Sequence, residues 1–434
     1  MTPQSSFMVV VPVIAEKLES LNALLSSMNF EVGCVNPHNS IIPFANYSNL
    51  HSARLLILTA NTGHDMEAYG SQPYDWSPSL ALLGEIDGTQ QDFLARLTVT
   101  ASKGLTKLLE HCQGFSSHKG TLLDFLLNNS KSSAANYVNW LGRTVTQVNE
   151  ELELQQLLAA KLPDAINECG IENPRKIRQV LLNHVEFAVS DGTLTLTPEA
   201  KTPLGYRLRN LFDLVAIPTL LLLISPVLLI LAPLIAWRLR VLERSDPDII
   251  IRPEPEHIRT LSVIEDHDVT NQFNVFGDVK PGIFRLLLLK FIMRIVQYTA
   301  QHIYRRGFLA RVRTIHFARW VFLNDNRSMY FSSMYDGSLE SYMDDFINKV
   351  AFGLNLTFSH GVGYPRTRWM VKGGAELEEQ FKDTLRRHQL PSAVWYRANP
   401  GLTAFDMARN ARIRRGVETY PTEDQSIRQW LSEI

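Results

Sequence analysis

A chain of 434 residues is long enough for two or three domains, and with 45% apolar and 20% charged residues it can bury a core. Lys and Arg number 43 against 44 Asp and Glu, a net charge of −1 that gives no reason to expect a nucleic-acid partner. The three cysteines, Cys34, Cys112 and Cys169, are an odd number without a CxxC pair. That argues against a disulfide framework or a structural zinc site and fits a reducing cytoplasm.

In chain order, Phe7–Ile14 (FMVVVPVI) reads as a buried strand, and Glu16–Met28 has its leucines at helical spacing. Ser40–Phe44 and Ala53–Thr59 read as further strands. Asn61–Ser79, rich in Gly, Pro and Tyr, reads as a long loop, and Leu80–Leu83 as a strand. Asp87-Gly88 makes a turn, after which Thr89 can cap a helix from Gln90 to about Ala101. Leu105–Cys112 is expected to close this unit as a strand. Gly120–Leu162 is mostly helical in pattern, Pro174–Phe187 starts with the proline a helix favours, and Gly192–Thr197 alternates like a strand.

Leu214–Trp237 then runs for 24 residues without a charge, 15 of them Leu, Ile or Val. A helix needs roughly 20 apolar residues to cross a hydrocarbon core. Pro218, Pro226 and Pro233 interrupt the run, and Ser225-Pro226 divides it into two pieces too short to cross alone. Basic residues stand on both sides: Lys201, Arg207 and Arg209 before, Arg238, Arg240 and Arg244 after. No orientation is selected, and both ends facing the cytoplasm fits that balance. A re-entrant or monotopic hairpin is the expectation, with one kinked span and a buried core helix as alternatives.

Beyond it, Ile283–Arg306 is a long helix whose polar positions include Arg285, Lys290, Arg294, Arg305 and Arg306, either a membrane-surface helix or one with a solvated basic face. Ile315–Asn324 and Ser328–Ser333 read as strands, Asp336-Gly337 as a turn into a helix capped by Ser338, and Leu354–His360 as a last strand. The tail after Glu418 is polar and expected to be peripheral.

The two halves align. Gly84–Phe115 and Ser333–Tyr364 keep an offset of 249 residues, matching Asp87-Gly88 with Asp336-Gly337, Gly104 with Gly353, and His111 with His360. Upstream, His51-Ser-Ala-Arg54 matches His316-Phe-Ala-Arg319 at an offset of 265. The order strand, helix, strand, strand, helix, strand is ferredoxin-like. The expected fold is therefore α+β, two ferredoxin-like units from an internal duplication packed together around a central membrane hairpin. If the units share a core, both ends of the apolar run lie on one side of the bilayer. The expected boundaries are 1–118 for the first unit, 119–200 for a helical linker, 201–245 for the membrane segment, 246–418 for the second unit and 419–434 for the tail.

Signatures of P-loop, zincin, serine-hydrolase and nicotinamide enzymes are absent. Gly84-Glu-Ile-Asp87-Gly88 fits GxxDG. Together with the paired halves it resembles the dye-decolourising peroxidases, within the dimeric α+β barrel (tandem ferredoxin-like) superfamily. That resemblance implies haem, with an aspartate over it on the peroxide side, an arginine nearby and a histidine on the iron. Asp87 carries over by motif, whereas the arginine and histidine have no local signature. Arg319 is the candidate for the arginine. His360, in FSHGVGYPRTRW, is the candidate iron ligand, with Arg366 and Arg368 placed to pair with carboxylates such as haem propionates. A turn of this kind also needs no haem, since a DG turn into a capped helix explains it. Residues i and i+3 of a strand point to opposite faces, so each His and Arg of the HxAR pairs should separate unless the strand bulges. Glu265-Asp266-His267-Asp268 is the densest cluster of possible ligands, with Asp266, His267 and Asp268 as the candidates for a divalent cation or for acid–base work; the other reading is a solvated charge run in a connector. HFARWVFL, the YDGS turn and LPSAVWYRANPGLTAFDMARNARIRRG also resemble an uncharacterised bacterial membrane-associated family, which carries no activity over.

Two functions are expected from different classes. One is a membrane-associated, haem-dependent peroxidase-like oxidoreductase at the cytoplasmic face, acting on an apolar small molecule drawn from the lipid bilayer. The other is a non-catalytic membrane-bound lipid-binding or scaffold protein. Either can form a homo-oligomer.

Overall fold

The computed structural model describes residues 1–60, 62–304, 307, 309, 311–419 and 423–434. The chain begins with β1 (Gln4–Pro12), α1 (Leu18–Ser26), β2 (Leu50–Leu58), the short α2 (Gly63–Ala68), β3 (Ser79–Asp87), and the consecutive helices α3 (Gln90–Thr100) and α4 (Ser102–Leu109). Then come β4 (Ser133–Val138), α5 (Val145–Cys169), α6 (Pro174–Asp191) and α7 (Leu204–Ser245). The second half holds β5 (Thr270–Asp278), α8 (Ile283–His302), β6 (Ile315–Leu323), β7 (Ser328–Asp336), α9 (Leu339–Phe358) and α10 (Glu378–His388). It ends with β8 (Val394–Arg397), α11 (Ala404–Glu418) and α12 (Asp424–Leu431).

Two antiparallel sheets of four strands carry the fold, in the orders β1-β3-β2-β8 and β4-β6-β7-β5. Each half therefore supplies three strands in the order first, third, second. Neither completes a ferredoxin-like sheet from one stretch of chain. The strands expected to do so, at Leu105–Cys112 and Leu354–His360, lie in α4 and its end and in α9 and its end. The fourth strand comes from the other half instead: β8 pairs with β2, and β4 pairs with β6. The segments expected as strands at Ser40–Phe44 and Gly192–Thr197 are not strands either.

The inner faces of the sheets pack on each other through Met8, Val10, Leu56, Ala81 and Leu83 on one side and Phe276, Val321, Leu323 and Tyr330 on the other. The outer face of the first sheet is covered by α1, α3 and α4, and that of the second by α8, α9 and α10. A further cluster joins α5, α6, α11 and α12, where Trp430 and Ile427 are buried. The expected polar tail is thus held by its apolar side chains.

Between the sheets lie two arginines, each about 1% exposed. Arg54 donates to the main-chain oxygens of Phe273 and Ser333 at 3.3 and 2.8 Å, and to Asn274 Oδ1 at 2.9 Å. Arg319 donates to the main-chain oxygens of Phe7 and Gly84 at 2.7 and 2.8 Å, and pairs with Glu85. Phe7 is the cross-strand partner of Gly84, and Phe273 of Ser333. Each guanidinium therefore spans two strands of the opposite sheet, and the two grips occupy matching registers. A bulge between Leu50 and Ser52, and another between Ile315 and Phe317, fall at the histidines of the HxAR pairs. The bulge keeps His51 with Arg54, and His316 with Arg319, on the buried side, correcting the separation expected for a regular strand.

α7 is one continuous helix through its three prolines. It is not two short pieces folded back at Pro226, as the hairpin would need. No residue of its most apolar window is buried against the chain. α8 ends at His302; Arg305 and Arg306, expected in the same helix, lie outside the described residues.

Removing Arg319 leaves Glu85 buried without its main partner, whereas the acceptors of Arg54 are mostly neutral. Breaking a buried pair costs roughly 3–5 kcal/mol, and losing hydrogen bonds to neutral groups about 1–3. Arg319→Met is expected to lower the urea midpoint more than Arg54→Met, and Arg319→Met with Glu85→Gln to recover part of the loss.

Candidate functional site

The GxxDG segment closes β3. Gly84 has no room for a side chain, because a Cβ would meet the Ser52 carbonyl and the Phe7 ring. Gly88 has φ +95° and Gly337 φ +84°, the left-handed region that favours glycine. Asp87 accepts from His51 Nε2 at 2.9 Å on one oxygen and from the Val145 N–H at 2.9 Å on the other. In the second half Asp336 accepts from His316 Nε2 at 2.6 Å and from the Ala404 N–H at 2.8 Å. Each aspartate thus ties a histidine to the first turn of the helix following a crossed-over strand, where a carboxylate suits the helix dipole. Between these ends lies a cleft of about 50 Å³ lined by His51, His316, Phe317, Arg143 and Asn399, room for a few waters.

His360 is fully buried, and neither ring nitrogen has a hydrogen-bond partner among the described residues. Burial, with the neighbouring Arg285 and Lys280 cations, pushes its imidazolium down to about 3. Close by, Asp246, at the end of α7, accepts from Lys280 Nζ at 2.8 Å and Arg285 at 2.6 Å. Burial lowers Lys280 to about 8 despite Asp246. Arg366 donates to the main-chain oxygen of Asp246 at 2.6 Å, and Arg368 is exposed on a short two-stranded ribbon.

These residues do not fit a haem. Both oxygens of Asp87 are engaged, Arg319 is enclosed between the sheets, and Arg366 holds a carbonyl. His360 lines neither the cleft between the sheet ends nor the apolar cavity described below. The metal expectation fares the same way. Asp266 accepts from Asn271, His267 hydrogen-bonds the Val263 carbonyl at 2.8 Å, and Asp268 pairs with Arg397 at 2.8 Å. Among the described residues no three His, Cys, Asp or Glu side chains form a group that could hold a metal ion.

An apolar cavity of about 210 Å³ between α8, α9, α10 and the outer face of the second sheet can receive an apolar molecule. Trp320, Phe331, Phe358, Met343, Ala300 and Leu385 line it. α9 breaks its helical geometry at Val350, with φ −144°, where it passes the cavity. Ile295 and Phe352, also in the lining, are 39% and 56% exposed and so stand at the mouth. In the matching place of the first half, Phe7, Phe93 and Tyr47 pack with ring centroids 4.8 and 5.6 Å apart. The matched glycines show the difference. A Cβ at Gly104 would collide with the Ile41 backbone, whereas one at Gly353 meets nothing within 4 Å among the described residues.

Trp320 and Phe358 fall within the HFARWVFL and FSHGVGYPRTRW segments, but neither segment signals a cavity. One signal for the crossed-over strands is present: Tyr137, Gly142 and Thr144 match Tyr396, Gly401 and Thr403 at an offset of 259, and both threonines cap the helix that follows. Comparison with family models, curated proteins and solved structures finds no match for this chain.

An imidazolium held at about 3 in the folded chain, against 6.5 when unfolded, binds fewer protons in the native state over that window. Stability then falls as pH drops from 6.5 toward 3, by up to about 1.4 kcal/mol per pH unit. His360→Leu is expected to flatten that part of the acid limb in urea titrations at pH 6, 5 and 4.

Proposed function

We propose that this chain is a membrane-anchored, non-catalytic binding protein whose second half holds an apolar molecule, such as a stretch of lipid acyl chain. The observation that carries the reading is the cavity of about 210 Å³, walled by aromatic and aliphatic side chains and open at Ile295 and Phe352. A dry apolar cavity of about 150 Å³ already takes up benzene, and ligand sites are typically apolar clefts of this type. The exposed apolar part of α7 supports attachment to a bilayer. The three cysteines are unpaired, in keeping with a cytoplasmic face.

The matching strand orders, registers and arginine grips support reading the halves as two ferredoxin-like copies of one unit. One copy has then kept a closed core and the other has opened. A catalytic reading lacks a comparable basis, because the acid, base and metal candidates are engaged in structural contacts.

Native mass spectrometry of the full chain released from detergent, with a long-chain fatty acid added as probe, tests the binding. One adduct per chain is expected for the natural sequence. Gly353→Phe, which directs a ring into the open space beside α9, is expected to weaken binding at least tenfold (more than about 1.4 kcal/mol) without lowering the melting temperature. Undiminished binding in that variant, or none in the natural chain, would refute the reading.

A further inference from the structure

The two ends of α7 are both fastened to one body. Near its start, Asn210 accepts from Gln301 at 3.0 Å and the Leu214 carbonyl accepts from the Tyr298 hydroxyl at 3.3 Å. At its end, Leu239 is buried in the core of the second half. Glu243 accepts from Thr367 and the Trp369 and Met370 N–H groups, and Asp246 holds Lys280 and Arg285. Arg285 and Gln301 belong to the same helix, α8, and lie 16 residues apart, about 24 Å at 1.5 Å per residue. Asn210 and Asp246 lie 36 residues apart along α7, about 54 Å if straight. Side-chain reach cannot make up a difference of about 30 Å, so α7 is bowed.

The sequence contains the cause of the bow. Pro218, Pro226 and Pro233 are spaced eight and seven residues, close to two helical turns, so they fall toward one side of α7 and their kinks add. A proline ring displaces the carbonyl one turn earlier and opens the helix on its own side, making that side convex. All three prolines are exposed. The more sheltered positions recur at helical spacing on the opposite side: Ile217, Leu221, Ile224, Leu228 and Ile235. That side also carries the anchoring residues Asn210, Leu239 and Asp246.

We propose that α7 is a monotopic arch: it enters and leaves a single leaflet of the bilayer from one side, with its convex proline face in the hydrocarbon. The occupant of the exposed apolar surface is that leaflet. Leu222, Leu223, Leu229 and Ile230, each more than 70% exposed, occupy the outermost part of the arch. The neighbouring helix carries a matching face. Leu287, Phe291, Arg294, Tyr298 and Gln301 follow one another at spacings of four and three along α8. The last two hold the start of α7, while Leu287 and Phe291 are exposed beside exposed Lys290 and Arg294. An exposed apolar stripe edged by cations suits the headgroup boundary of an anionic leaflet. The inference concerns topology and does not depend on what the cavity holds.

The test uses the full chain with Lys201→Cys or Asp248→Cys, exposed positions flanking the two ends of α7, and a membrane-impermeant maleimide. Labelling of the unsubstituted chain is subtracted. In intact cells and in sealed inside-out vesicles the two sites are expected to be reached together in one preparation and protected together in the other. One site reached in each preparation would show a crossing and overturn the proposal. A spin label at Phe291→Cys is expected to be relaxed more by oxygen than by a water-soluble nickel complex in anionic vesicles; the reverse would remove α8 from the leaflet.

Discussion

The crossed arginines between the sheets are the constraint on which the rest depends. Two guanidiniums are enclosed with one carboxylate, and taking charges out of water costs several kcal/mol per ion unless each finds partners. Burial lowers Arg54 against the help of Glu85, while Arg319 and then Arg54 hold Glu85 below the usual carboxylate range in spite of its own burial. The partners that repay this cost are main-chain oxygens, and they are specific ones. Phe7 with Gly84, and Phe273 with Ser333, are cross-strand neighbours, so a slip of either sheet by one residue would leave a cation facing the wrong atoms. The grips therefore fix the register of both sheets and their position over each other. With that fixed, β8 and β4 can each complete the sheet that their own half does not.

The same contacts explain how much was legible in the sequence. Strand positions at Phe7, Ala53, Leu80 and Ile315, and the caps Thr89 and Ser338, depend on local pattern and could be read. The crossing of β4 and β8 could not, because a strand's choice of partner is a tertiary fact that alternation does not encode. GxxDG pointed toward haem for a reason that the packing supplies without one. Gly84 is crowded by Phe7 and Ser52, Gly88 needs a positive φ, and Asp87 joins His51 to the start of α5. Local geometry alone can select those residue types. His360, a candidate iron ligand at the end of an expected strand, is a core residue following a helix.

Where the halves diverge, the divergence is physical. Gly104 lets α4 lie against the backbone of Ile41, and the aromatic cluster around Phe93 fills the space above the first sheet. Gly353 has no such neighbour, and the break at Val350 carries α9 away from a packed path. Empty apolar volume forfeits contact energy, and Leu-to-Ala cavities in other proteins cost several kcal/mol. A fold that keeps about 210 Å³ of apolar space open in the second half bears that cost there.

The cavity and the bowed helix meet at one residue. Ile295 lines the cavity and also stands exposed on α8, on the surface that continues from Phe291 and Leu287. With the arch of α7 and this surface of α8 set against one leaflet, an acyl chain could pass from hydrocarbon to cavity along Phe291, Ile295 and Phe352, all apolar and exposed. It would not need to cross water, the step that limits movement of hydrophobic molecules. A straight spanning helix would give α8 no such position, because its two ends would stand on opposite sides of the membrane and could not both hold the same 20-residue helix. In the proposed topology, the prolines that interrupt the apolar run are what would keep the cavity mouth beside the lipid.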